Sequence, residues 1–237
     1  MLTVDFHVHT FFSHCGIHTH LEMLKRGKEL GMDAVAITDH GPELEARSTG
    51  PFWDRLNVPV EGIRLLKGME CNLSNDRGDI DLQKKYLPYM DIVLLGLHPN
   101  TEKGLGEAVY TDMLIAAIEK NPTIDIITHP NDASYPVEFQ RLALAAKRNG
   151  IALELNNSKT LLQRIGDEVT SQLIRVCKDV ECRMAICSDA HAIEELGRDD
   201  SVRPLLEQEK FPSELIINDT TQKAYAFLER RRMRKQI

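Results

Sequence analysis

The chain has no excess of positive charge. Its 237 residues carry 29 Lys and Arg against 36 Asp and Glu, a net charge of −7. No strong positive field therefore invites nucleic acid or an anionic membrane. The one basic run, Arg230-Arg231-Arg232-Met233-Arg234-Lys235, follows a helical pattern and reads as a solvated helix end, where cations are favourable. No apolar run reaches the roughly 18 residues of a membrane span, and charged side chains interrupt the N-terminus at once. Neither a secretory leader nor a membrane anchor is expected. The five cysteines, Cys15, Cys71, Cys177, Cys182 and Cys187, make an odd number without a Cys-x-x-Cys pair. Reduced thiols in a cytoplasmic protein follow from that. Internal repeats and low-complexity tracts are lacking too, so residues 1–237 are expected to form one domain.

What is present is ordinary in bulk and unusual in detail. Hydrophobic residues make up 42% and charged residues 27%, the balance of a globular protein. The length suits one α/β barrel, commonly roughly 200–250 residues. Near the start, Val4-Asp5-Phe6-His7-Val8-His9 alternates at period two, so on a strand Asp5, His7 and His9 share a face. Two imidazoles at i and i+2 can reach one metal ion. Five later apolar runs also end in metal-competent side chains: 34–40 at His40, 65–70 at Glu70, 92–98 at His98, 124–129 at His129, and 184–191 at Asp189 and His191. An α/β barrel gathers its chemistry at the C-terminal ends of its strands.

Between these runs lie helical patterns. Thr19 and Glu22 form a capping box that opens a helix, and Gly31 closes it. Residues 106–120, 137–149 and 167–178 read as further helices, and the remainder from about 203 as terminal helices. With a run at 151–155 the count is seven strand–helix units, one short of the standard barrel. Residues 41–62 break the rhythm with Gly41, Pro42, Gly50, Pro51, Pro59 and Gly62 around Phe52 and Trp53. A stretch this long is either a lid over the site or a packed surface loop.

Nine candidate ligands emerge: His7, His9, His14, His40, Glu70, His98, His129, Asp189 and His191. That is too many for one ion and enough for three, with a glutamate able to bridge two of them. Asp189-x-His191 lets the acid serve one ion and the histidine another. Asp5 and Asp39 are candidates for orienting ligand imidazoles. Asn156, Lys159 and Arg164 follow the sixth strand and could hold a substrate phosphate.

His7-Val8-His9, Thr38-Asp39-His40, Glu70, His98, His129 and Ser188-Asp189-Ala190-His191 resemble the motifs of the polymerase and histidinol phosphatase (PHP) family of metal-dependent phosphoesterases. Asp39-His40-Gly41-Pro42 and Glu154-Leu155-Asn156-Asn157-Ser158 resemble its YcdX-type branch. The resemblance implies a distorted seven-stranded (β/α)7 TIM-like barrel, in agreement with the count above. It also implies hydrolysis of a small-molecule phosphate monoester by a metal-bound hydroxide, with Glu70 and Asp189 as catalytic ligands. Carried over by position, it puts His7, His9, Glu70 and Asp189 around a first metal. Glu70 then bridges to a second held by His98 and His129, and His40 and His191 hold a third that His14 completes. The cofactor set is three divalent ions, zinc foremost, with manganese or iron as alternatives. At position 15 the branch usually has the loop histidine and this chain has Cys15; other members carry an acid at the position of His14, so His14 is expected to complete the third site, with Cys15 as the alternative thiolate ligand. The competing readings are an amidohydrolase, which ordinarily needs eight strands, and a non-catalytic metal-binding barrel.

Overall fold

Apolar runs buried on both faces make parallel strands, and the seven anticipated runs do so in chain order. In a computed structural model they are β1 (Val4–Asp5), β2 (Ala34–Ile37), β3 (Arg64–Asn72), β4 (Ile92–Gly96), β5 (Ile126–Ile127), β6 (Ala152–Asn156) and β7 (Met184–Cys187). All residues are described except 48, 49, 58, 59, 163, 165, 236 and 237, with backbone alone at 234 and 235. Pro59 and the side chains of Arg234 and Lys235 thus lie outside the described residues. Each strand pairs in parallel with its sequence neighbour. A parallel bridge from Val8 to Ala190, with the His9 amide donating to the Ala190 carbonyl at 2.8 Å, brings the last strand against the first. The result is the nearly closed (β/α)7 barrel that the sequence led us to expect.

The helices are α1 (His20–Glu29), α2 (Gly50–Arg55), α3 (Glu107–Lys120), α4 (Phe139–Asn149), α5 (Asn157–Leu161), α6 (Asp167–Asp179), α7 (Arg203–Gln208) and α8 (Thr221–Lys235). Thr19 caps α1: its hydroxyl accepts from the Glu22 amide while the Glu22 carboxylate accepts from the Thr19 amide. The stretch 41–62 is the packed alternative in part, because Trp53 of α2 is completely buried and Leu56, just past its end, nearly so in the outer core.

Period two decides what fills the barrel. Ala34 and Ala36, Leu66, Ile92 and Leu94, Ile126, Ala152, and Ala185 and Cys187 form one buried inner cluster. Continuing the β2, β3, β4, β6 and β7 rows by twos leads to His40, Glu70, His98, Asn156 and Asp189, whereas the rows of Val4 and Phe6 and of Ile126 lead to Val8 and Thr128. Apolar side chains therefore fill the N-terminal half of the barrel and polar ones its C-terminal mouth. Helix α8 closes the other end, adding Ala224, Phe227 and Leu228 to the inner cluster.

One basic residue departs from the expectation of a solvated helix end. Arg231 is 3% exposed. Its Nε donates to Asp125 Oδ1 at 2.8 Å, Nη1 to the Asn149 carbonyl at 3.0 Å, and Nη2 to the carbonyls of Pro122 (2.9 Å) and Ile124. It lies one helical turn beyond Phe227, on the face that plugs the barrel, while its neighbours Arg230 and Arg232 are exposed.

Candidate metal centre

Glu70 stands at the hub of the mouth. It is 1% exposed, and five imidazoles surround its two oxygens. Oε1 lies 3.2 Å from His98 Nε2 and 3.1 Å from His129 Nε2. Oε2 lies 3.3 Å from both His7 Nε2 and His9 Nε2, and 2.9 Å from His40 Nδ1. Asp189 Oδ1 approaches His7 Nε2 at 3.4 Å and His9 Nε2 at 3.3 Å. Among the described residues, three groups of ligand atoms, each within 4.8 Å, follow: His7–His9–Asp189, His40–Glu70–His98 and His9–Cys15–His40.

The hydrogen bonds behind these rings fix which nitrogen faces inward. His7 Nδ1 lies 2.6 Å from Glu154 Oε1, a carboxylate that can only accept, so Nδ1 carries the proton. Ser13 Oγ donates to Asp39 Oδ1 at 2.5 Å, so it must accept from His9 Nδ1 at 3.0 Å. Both Nε2 atoms are left with lone pairs directed at the centre, only 2.9 Å apart. Two lone pairs at that distance repel unless a cation lies between them. Glu70 Oε2, His40 Nδ1 and both His98 nitrogens are also buried without a hydrogen bond. A nitrogen- and oxygen-donor set with unspent lone pairs fits divalent metal ions.

Charge tells the same story. Burial alone would lower the His7 pKa, but Glu70, Glu154 and Asp189 overcome it and hold the imidazole well above its usual range. His9, likewise buried, is raised to about 9 by Asp189 and Glu70. Burial would raise Glu70 and Asp189, yet the surrounding imidazoles hold both well below the carboxylate range. His40, His98, His129 and His191 are lowered, by burial first; at His129 the Lys159 ammonium adds to it. The carboxylates demand positive charge at the centre, and either protons or metal ions can supply it.

Residues 5–158 match the description of the PHP domain. The chain is 36% identical over 238 residues to a probable phosphatase of Caldanaerobacter subterraneus subsp. tengcongensis, covering 98% of this chain and 93% of that one. This chain belongs to the PHP family. Among solved structures it is similar to the histidinol phosphate phosphatase of Lactococcus lactis subsp. lactis complexed with zinc, L-histidinol and phosphate. That match has a TM-score of 0.63 at 14% identity and covers 88% of this chain and 94% of that one. A chain of archaeal ribonuclease P with mature tRNA is similar too, at TM-score 0.60 and 18% identity, over 96% of this chain and 90% of that one. At such identities these two show the fold alone.

Of the anticipated residues, His7, His9, His40, Glu70, His98, His129 and Asp189 meet at this centre. His191 flanks it: its ring stacks on that of His9 with centroids 4.5 Å apart, and Nδ1 donates to the Asp189 carbonyl at 2.8 Å. His14 is a correction. It adopts a left-handed backbone, φ 62°, is exposed, and donates through Nε2 to the Glu45 carbonyl at 2.5 Å. Its neighbour Cys15 occupies the place expected of His14. Burial and the Glu70 and Asp189 carboxylates push the metal-free Cys15 thiol up to about 12.

The expected phosphate contacts change as well. Asn156 is 2% exposed and its amide is spent on protein: Nδ2 donates to Glu154 Oε2 and Asp189 Oδ2, both at 3.0 Å, and Oδ1 accepts from the Lys159 amide. It positions Asp189 and caps α5. Lys159 Nζ is bound to Asp132 Oδ2 at 2.7 Å, and Arg164 is exposed, lining a cavity of about 400 Å3 with Asn131, Asp132 and Phe139. Asp39 orients His9 through Ser13, as anticipated in kind. Asp5 instead accepts from the amides of His7, Ser188 and Gly197 and touches no imidazole nitrogen.

Three contributors had no role assigned from the sequence, although Glu154 belongs to the branch motif quoted above. Glu154 holds His7, and its Oε2 accepts from the His129 amide at 2.6 Å. Ser13 links Asp39, His9 and the His40 amide. Gly96 makes room for an imidazole: a Cβ there would lie 2.5 Å from Thr128 Oγ1 and 2.7 Å from His98 Nε2. Glu154 and Gly96 were visible as an acid and a glycine two residues before the end of an inward row.

Proposed function

We propose that this chain is a metal-dependent phosphatase that hydrolyses a phosphate monoester of a small molecule at a site for three divalent ions. Zinc is the foremost candidate, with manganese or iron as alternatives. The observation that carries the reading is Glu70, whose Oε1 faces His98 and His129 while Oε2 faces His7, His9 and His40. We assign His7, His9, Glu70 and Asp189 to a first ion, Glu70, His98 and His129 to a second, and His40 and His191 to a third. Bound there, divalent ions supply Lewis-acid charge for the phosphoryl oxygens and acidify water at neutral pH.

The chain's own residues do the positioning. Glu154 and Ser13 keep the Nε2 lone pairs of His7 and His9 turned inward, and Asn156 steadies Asp189. Lys159 is close enough to His98 and His129 to depress both, and its ammonium, paired with Asp132 at 2.7 Å, would exchange that carboxylate for a phosphate oxygen beside the second ion. The cavity lined by Pro130, Asn131, Asp132, Phe139 and Arg164 begins at the residue after His129 and is large enough for a small leaving group. The five free thiols suit a reducing compartment, and we assign the enzyme to the cytoplasm. A phosphate-release screen over a metabolite panel, with elemental analysis of the same preparation, tests the reading. Metal-loaded protein that releases phosphate from no ester would leave a metal-binding barrel instead.

A further inference from the structure

The loop from Thr10 to His18 is held closed by its own backbone. The Ser13 amide donates to the Thr10 carbonyl at 2.9 Å and the Phe11 amide to the His18 carbonyl at 2.8 Å. Gly16 packs so tightly that a Cβ would lie 2.4 Å from the Thr10 carbonyl oxygen. Two further bonds tie this loop to the backbones of the proposed third-ion histidines. The His40 amide donates to Ser13 Oγ at 3.0 Å, and the Ile17 amide donates to the His191 carbonyl at 2.8 Å. Residue 15 lies midway between these anchors.

We propose that Cys15 is a thiolate ligand of the third ion, acting with His40 and His191, and that it makes this position prefer a thiophilic metal. The inference rests on the three-ion reading above. Cys15 Sγ lies in one ligand group with His9 and His40. His9 has a single lone pair, because Nδ1 donates to Ser13, and that lone pair faces His7 and Asp189. Cys15 and His40 are then left needing a donor other than His9. His191 flanks the same His9 ring, and with Nδ1 committed to the Asp189 carbonyl it offers Nε2. A thiolate beside two imidazoles suits zinc and other soft or borderline ions better than manganese or magnesium. The remaining positions, built from imidazole and carboxylate, carry no such preference.

Cys15 is exposed whereas the other four cysteines are buried, so a thiolate-to-metal signal in native protein reports on Cys15. The protein is stripped with a chelator and reloaded with cobalt(II) or zinc. Cobalt-loaded wild type and His14→Ala should show a near-ultraviolet thiolate-to-cobalt charge-transfer band that Cys15→Ser lacks. Zinc should displace the cobalt and abolish that band, and manganese at equal concentration should not. Cys15→His should bind a full complement of cobalt without the band. Absence of the band in wild type, its persistence in Cys15→Ser, or its equal removal by zinc and manganese would each overturn the assignment. These readouts do not depend on turnover. A protein that shows the band and hydrolyses nothing would sink the phosphatase reading and leave this one standing.

Discussion

Replacing Glu154 by glutamine alters one atom at the centre of the site's support. The carboxylate accepts three donors: His7 Nδ1 at 2.6 Å, the His129 amide at 2.6 Å and Asn156 Nδ2 at 3.0 Å. Glutamine keeps the shape but turns one oxygen into an NH2 group. Facing His129 and Asn156, that group would set donor against donor, and the backbone amide cannot reverse its role. Facing His7, it is satisfied if the imidazole moves its proton from Nδ1 to Nε2. The second arrangement is cheaper, and it points an N–H at the first ion where a lone pair was.

The expected consequence is a folded barrel with weakened metal binding. Loss of a partner of this kind typically costs about 10–100-fold in affinity, or about 1.4–2.8 kcal/mol. Titration of chelator-stripped Glu154→Gln with zinc measures the loss, and nitrogen-15 shifts of the His7 ring report the tautomer. Affinity within twofold of wild type, with His7 still protonated at Nδ1, would refute the reasoning.

Other outcomes follow from the same geometry. Glu70→Gln should fold and lose nearly all phosphate release together with two ions, because amide nitrogen replaces an oxygen facing imidazoles; elemental analysis beside turnover checks it. Gly96→Ala should displace the His98 ring, whose Nε2 would lie 2.7 Å from the new Cβ, lowering metal content while helical circular dichroism stays unchanged. Arg231→Met should destabilise by about 3–5 kcal/mol, since Asp125 stays buried without its guanidinium. The melting temperature should fall by roughly 6–20 °C for a chain of this length, and adding Asp125→Ala should recover part of it. With His9 raised to about 9 in the metal-free site, its stabilisation is complete below its unfolded value near about 6.5 and lost as pH rises through about 9. Metal competes with that proton, so zinc affinity should climb between pH 7 and 9, and calorimetry in two buffers should detect the released protons.

The ligands were legible because a strand is the most readable of elements. Period two places every second residue on one face, so His40, Glu70, His98 and Asp189 could be seen to end inward rows before any contact was known. The strand count came the same way. Where local geometry breaks the rule, the reading failed. At positions 14 and 15 a single left-handed residue turns His14 to solvent and leaves Cys15 facing His40; the one signal for it in the sequence was the branch's usual histidine at position 15. His129 was anticipated as the end of an apolar run although parity from Ile126 points it outward, and a φ of 31° accompanies its inward turn. Arg231 was misread for another reason. Ala224, Phe227, Leu228 and Arg231 share one helical stripe, a signal present in the sequence but masked by the run of like charges around it.

Glu154 escaped for a more general reason, which bears on how the barrel closes. Its partners come from β1, β5 and β6, elements whose adjacency exists only once the sheet has curled around. The first and last strands meet through little regular pairing: the Val8–Ala190 bridge, with Asp5 accepting from the Ser188 and Gly197 amides nearby. Across that seam His7 and His9 face Asp189, and Asn156 joins Glu154 to Asp189. The polar centre therefore does part of the work that a full ladder does elsewhere in the sheet. A cation at the centre that offsets the mutual repulsion of the His7 and His9 lone pairs would bind the ligands and the β1–β7 seam at once. Metal affinity and barrel closure are in that case a single coupled property of this fold.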